Sequence, residues 1–438
     1  MNKTHLILLI IYSTFFHTCE NNVDPEILAV VGTSEVTADD FIESYSNKLI
    51  NTAAQDSEFE RSRTLNELIR TKLFAEAARS KNLSLDSIGL NRVKLSKELA
   101  LREELYNHII GSKGVAIEDS IARKHFTWKN TEISLKHIFH QDKEVLDTLL
   151  PLILKNPNMF DVYAKKLFKD KNLKDSGGDL GWISYNTLDP NLEQTAFSMP
   201  INKAVGPIRS SYGWHILLKK DERRQMIISE NDYQNTKHGL INTIIKKQTQ
   251  IMANDYVNNL MDNDITIDDT LVMNTLHKIH TIVFQKNKNE YDLKPKISEK
   301  LTEFIIDLKL NANTTLATFK NGSFTINDLL NNLRNSSPKS FLDNPVQAFY
   351  IALRNKILTT EALNRGLQNN KKVQWKIQSK EDQYLAREFL LSLSKDKKQK
   401  NFSEKDIMEI TKKLKAQYKI VVYDKNLEKL FKSKLKAN

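Results

Sequence analysis

Apolar residues fall three and four positions apart along most of this chain. Leu65, Leu68, Ile69 and Leu73 form one such series, and the pattern predicts amphipathic helices over about 59–81, 84–111 and 117–128. Ahead of them the run Ile27 to Val31 reads as a short strand. Thr37, with Asp40 three residues on, reads as a capping box, in which hydroxyl and carboxylate each satisfy a backbone N–H that the first helical turn leaves open. The period then changes. In "TEISLKHIFHQ" apolar residues alternate, "VLDTLLPLILKNP" and "MFDVYAKKLF" are helical again, and "GWHILLKKDER" closes as a strand. Antiparallel strands with helices on them predict a separate α/β or α+β unit over 130–223, about 100 residues long.

The opening pattern recurs downstream. "LAVVGTSEVTADDFI" from Leu28 aligns without gaps on "LATFKNGSFTINDLL" from Leu316, an offset of 288 positions, and "LIRTKLFAEAARSKNL" from Leu68 matches "ALRNKILTTEALNRGL" from Ala352 at an offset of 284. Nearly constant offsets over several elements predict a duplicated helical module. Both copies also end alike, in a helix, a β-branched run and an acidic turn, near 258–272 and 413–427. The expected plan is therefore a first module over 20–129, interrupted by the unit at 130–223 and completed by 224–275. A polar linker over 276–315 and a second module over 316–438 follow.

Composition and charge narrow the function classes. The chain has 438 residues, 40% of them hydrophobic and 27% charged, which suits several packed domains. Its 65 Lys and Arg exceed its 54 Asp and Glu by 11. The lysines alternate with Asn, Asp and Glu along helix faces, and no helix-turn-helix, zinc-spaced Cys/His set or phosphate-binding loop is present, so neither nucleic acid nor a metal or other cofactor is expected. At the N-terminus Lys3 and His5 precede an apolar run from Leu6 to Phe16, too short to span a bilayer and of the length of a signal-peptide core. The chain's one cysteine, Cys19, follows it directly. This arrangement resembles a bacterial lipoprotein signal over 1–19, although "FHT" ahead of the cysteine departs from that pattern. The resemblance implies an exported protein of the periplasm or cell envelope, tethered to a membrane by lipid on Cys19.

The unit at 130–223 also gathers glycine. "DSGGDLGWISYNTLDPNLEQTAFSM" holds three of the chain's twelve glycines, Gly177, Gly178 and Gly181, a density that marks sharp turns. The order "LKHIF", "GGDLGW", "AFSM", "VGPIRSSYGWHI" closely resembles the parvulin family of peptidyl-prolyl cis/trans isomerases, over about a fifth of the chain. The resemblance implies an α+β multidomain protein in which a parvulin-like domain is inserted into duplicated, mostly helical chaperone-like modules. Weaker likeness in the flanks points to exported bacterial foldases and periplasmic chaperones, whose partners are unfolded or nascent exported proteins.

Carried over residue by residue, the family's paired histidines fall on His137 and His215, with Ser210 and Tyr212 offering hydroxyls beside them. The proline pocket falls on Leu180, Leu188, Leu192 and Phe197. Where family members carry Cys or Asp, this chain presents Lys171, with Asp170 next to it. The segment "IFHQDKEV" lacks the basic triplet that phosphate-directed parvulins use, which implies substrates with ordinary, non-phosphorylated X-Pro bonds. Two further readings stay open: a holding chaperone whose parvulin domain has lost efficient catalysis, suggested by Lys171, and a scaffold that grips one dedicated partner.

Overall fold

The computed structural model describes residues 26–111, 116–210, 212–225, 229–262, 265–286, 311–335, 341, 343–394 and 402–434. The expected signal at 1–19, with Cys19, lies outside them. In chain order the elements are β1 (Ile27–Val31), β2 (Ser34–Thr37), α1 (Ala38–Asn51), α2 (Glu58–Ser80), α3 (Ser87–Ile110), α4 (Asp119–Lys129), β3 (Thr131–His140), α5 (Lys143–Lys155), α6 (Met159–Leu167), α7 (Lys171–Asp175), β4 (Asp179–Ser184), α8 (Pro190–Ser198), β5 (Ala204–Ser210), β6 (Gly213–Arg224), α9 (Glu230–Asp262), β7 (Thr266–Ile267) and α10 (Asp269–Lys286). The second half continues with β8 (Thr315–Phe319), β9 (Gly322–Thr325), α11 (Ile326–Asn335), α12 (Pro345–Asn364), α13 (Lys371–Leu393), α14 (Glu404–Lys415), β10 (Ile420–Val422) and α15 (Asp424–Lys434). The α+β multidomain class expected from the sequence is the one observed.

The chain divides into two units, 1–100 with 368–438, and 101–367. In the first, α1 begins at the expected capping box: the Asp40 N–H donates to the Thr37 hydroxyl, and the Thr37 N–H donates to the Asp40 carboxylate. The apolar stripe of α2 then buries Leu65, Ile69 and Leu73 against Leu28, Val31, Val36 and Phe41, and α13 adds Leu385 and Phe389 to the same core. In the second unit the helix-closed sheet of β7, β8 and β9 shares a core with α10, α11 and α12, in which Leu276, Ile279, Leu329 and Leu353 are buried.

Strand pairing corrects the expected domain plan. Segment 224–275 was expected to complete the first module, but β7 pairs with β8, Thr266 opposite Thr318 and Ile267 opposite Ala317, and so closes the second copy's sheet. The ending at 420–422 was expected to close the second module, but β10 pairs with β1, Ala29 opposite Val422 and Val31 opposite Ile420. The strand expected to end each module thus pairs with the opening strand of the other. The linker expected over 276–315 also needs revision. Helix α10 runs on to Lys286 and buries Leu276 and Ile279, while 287–310 lie outside the described residues.

Between α4 and α9 stands a four-stranded antiparallel sheet in the order β4-β3-β6-β5. Alternation sends its residues to two faces. Ile138, Ile216 and Leu218 meet α5 and α6 through Leu146, Ile153, Phe160 and Ala164. Ile133, Leu135 and Leu217 face the other way, toward α8 and Trp128 at the end of α4. His137 and His215 share the parity of this second set.

Candidate active site

His137 sits on β3 opposite Leu217, and His215 on β6 opposite Phe139, so the two imidazoles are one step apart on neighbouring strands. Their rings stack with centroids 5.7 Å apart and planes 20° apart, and their Nδ1 atoms are separated by 3.4 Å. Phe168 lies 5.0 Å from the His137 ring and Phe139 5.0 Å from that of His215. The His215 Nε2 is 2.8 Å from the Ser210 hydroxyl, which also accepts the Tyr212 N–H. The buried Nε2 of His137 has no hydrogen-bond partner among the described residues.

Burial decides the charge of this pair. Removal from water disfavours the imidazolium and lowers both histidines to about 4; at His137 the neighbouring imidazole adds to the effect, and at His215 the Asp189 carboxylate offsets part of it. Both rings are therefore neutral at pH 7.

Glycine sets the position of the first histidine. Gly178 has φ +79° and its carbonyl accepts the His137 N–H at 2.8 Å. A Cβ at this residue would lie 2.1 Å from the His137 carbonyl oxygen, far inside contact distance, so no larger residue fits while the strand keeps its course. Gly177 and Gly181 also have positive φ, which turns the chain into β4 and leaves Leu180 against the apolar face.

The sequence-derived site residues are not all brought together. Leu180, Leu188, Leu192 and Phe197 join one apolar cluster with Leu135, Met199 and Leu217 on the face that carries the histidines. Ser210 belongs with His215. Tyr212 does not: its side chain is 74% exposed and only its backbone reaches Ser210, because the turn before β6 directs the ring to solvent. Asp170 and Lys171 form the start of α7. The Asp170 carboxylate accepts the Leu173 N–H as the helix cap, and Lys171 is exposed. Sequence reasoning missed Phe139 and Phe168, the rings flanking the imidazoles. Strand parity with His137 could have marked Phe139; no sequence pattern marks Phe168.

The arrangement combines an apolar wall with uncharged ring nitrogens. Rotation about an X-Pro bond breaks amide resonance against a barrier of roughly 18–20 kcal/mol and moves no proton. A site accelerates it by binding the twisted amide better than the planar one. A dry apolar surface beside uncharged hydrogen-bonding groups is the kind of surrounding that requirement calls for.

Several known proteins are similar to parts of this chain. Residues 138–221 match the PPIC-type PPIase (rotamase) domain. A probable parvulin-type peptidyl-prolyl cis-trans isomerase of Bordetella pertussis is 24% identical over 188 residues, 42% of this chain and 72% of that protein. The foldase protein PrsA of Caldanaerobacter subterraneus is 23% identical over 36% of this chain and 56% of its own length. Among solved structures, a SurA-like chaperone of Campylobacter jejuni is 19% identical, covers 54% of this chain and 97% of its own, and gives a TM-score of 0.22.

Proposed function

We propose, from a chain that carries a parvulin-type peptidyl-prolyl cis/trans isomerase domain, that it isomerises non-phosphorylated X-Pro bonds of unfolded exported proteins and holds those clients with its helical modules. The observation that supports this most is the facing, uncharged pair His137 and His215 beside the wall of Leu180, Leu188, Leu192 and Phe197. In this reading the wall grips the proline ring, the imidazoles polarise the twisting amide, and Ser210 orients His215. The hydroxyl of Tyr212 has no part in it. Relatives named foldase and chaperone support the holding activity.

The test is the isomerisation rate of a short X-Pro peptide with the purified mature chain. Acceleration over the uncatalysed exchange, which takes tens to hundreds of seconds, is expected, together with a loss of about tenfold or more in kcat/KM in His137→Ala/His215→Ala, equivalent to ~1.4 kcal/mol of transition-state stabilisation. A folded chain without acceleration sinks the reading. Asp170 and Lys171 are assigned to the start of α7 rather than to the chemistry, so Lys171→Asp should change kcat/KM less than about twofold. A phosphorylated Ser-Pro peptide should turn over no faster than its unmodified form.

The same reading places the protein in the bacterial envelope, anchored by lipid on Cys19. It is supported by the apolar run Leu6 to Phe16 ahead of the cysteine and by the kinship with foldases and chaperones. Among the described residues no helix is long and apolar enough to cross a membrane. Incorporation of a labelled fatty acid into the wild-type chain, and its loss in Cys19→Ser, checks the anchor.

A further inference from the structure

The wall that faces the histidines is tied to a residue outside the isomerase domain. Leu192 and Phe197 both belong to α8, and Glu193 stands four residues before Phe197 on the same side of that helix. Glu193 is 2% exposed. One carboxylate oxygen accepts the Asn186 N–H and the other pairs with the ammonium of Lys247, on α9. That ammonium lies 3.7 Å from the centroid of the Tyr185 ring, which meets Phe197 edge-on at 6.1 Å. The Tyr185 hydroxyl is 2.8 Å from Nδ1 of His125 on α4, and Trp128, also on α4, packs on Phe197 at 5.7 Å.

We propose that Lys247 is a positioning residue for the proline-binding wall, holding α8 and the Phe197 ring through Glu193 and Tyr185. This rests on the isomerase reading above. A carboxylate this deeply buried requires a partner, because an unpaired charge in an apolar surrounding is strongly unfavourable. Without Lys247 the carboxylate keeps only the Asn186 N–H, and a shift of α8 that brings Glu193 to water carries Leu192 and Phe197 with it. The matched segment 138–221 supplies the wall but not the cation that holds it. The helical module is in this sense part of the isomerase site.

The experiment uses the full mature chain, Lys247→Met, and the double variant Lys247→Met/Glu193→Gln, in which the unpaired charge is removed as well. Two quantities are read: KM and kcat for an X-Pro peptide, and hydrogen exchange in residues 190–198 relative to those in α5. A wall that binds the proline ring in planar and twisted states alike predicts a KM raised about tenfold with kcat within about twofold for Lys247→Met. Faster exchange in 190–198 should accompany it, and both should return to within about threefold of wild type in the double variant. A lower melting temperature with KM and the exchange of 190–198 unchanged overturns the proposal, since Lys247 would then only add stability. Failure of the double variant to recover overturns it too. A wild-type chain without isomerase activity would sink the underlying reading instead, and exchange in 190–198 would still decide whether Lys247 holds α8.

Discussion

Two regions of this molecule bury polar side chains in apolar cores, and they do so in opposite ways. In the first unit Asp382, fully buried on α13, receives the Lys72 ammonium at 2.8 Å, the Gln378 amide at 3.0 Å and the Arg79 guanidinium. Arg79 also reaches Glu76, which accepts the hydroxyls of Thr33 and Ser34. Every charge there has an opposite charge beside it. In the isomerase domain His137 and His215 find hydrogen-bond partners among the described residues in each other and in Ser210, and they meet burial by remaining neutral. An ionic network in which each charge is met by its opposite fixes one geometry. A neutral pair with an unpartnered Nε2 retains hydrogen-bonding capacity for an incoming amide.

The contrast is broken most severely at Asp382. Asp382→Ala leaves Lys72 and Arg79 without their shared carboxylate, and breaking a buried pair from one side costs about 3–5 kcal/mol. Urea unfolding should show the loss in the transition that includes α2 and α13. KM and kcat for an X-Pro peptide, measured well below that transition, should be unchanged. A loss under 1 kcal/mol would mean that the network is solvated in solution, and the comparison would fail.

A smaller effect is expected at Gly178. Gly178→Ala places a methyl group 2.1 Å from the His137 carbonyl oxygen at a φ of +79°. The φ alone costs about 1–3 kcal/mol, and relief of the contact must move β3 at His137. Both stability and kcat/KM should therefore fall, whereas Asp382→Ala lowers stability alone. Equal behaviour of the two variants in the kinetic assay would show that His137 tolerates displacement.

The site was more legible in the sequence than the arrangement of the modules. Alternation placed His137 and His215 on strands, the glycines marked the turn that holds them, and the resemblance joined them to Leu180, Leu188, Leu192 and Phe197. Thr37 with Asp40, and Thr325 with Asp328 in the second copy, mark helix starts because a capping box is local chemistry, complete within four residues. The pairing of β7 and β10 is of another kind. Each reads as a strand, but its partner lies far away along the chain, and the local pattern gives no preference for it. Glu193 was invisible for a similar reason. A carboxylate on a polar-looking helix turn reads as solvated until a lysine some fifty residues away covers it.

The most diagnostic prediction concerns pH. Both imidazoles are lowered to about 4 from about 6.5 in an unfolded chain. Between these values the unfolded chain binds more protons than the folded one, so stability rises with pH across that window. The contribution is complete above about 6.5, declines as pH falls, and stops changing below about 4, where both states are protonated. Thermal unfolding of the wild type should therefore weaken between pH 6.5 and 4, and His137→Gln/His215→Gln should weaken less. Some slope remains in the variant, because burial also lowers His125 to about 4. Parallel curves for the two proteins would mean that the pair is already solvated and charged in the folded chain, and the difference between the two cores would reduce to one of geometry.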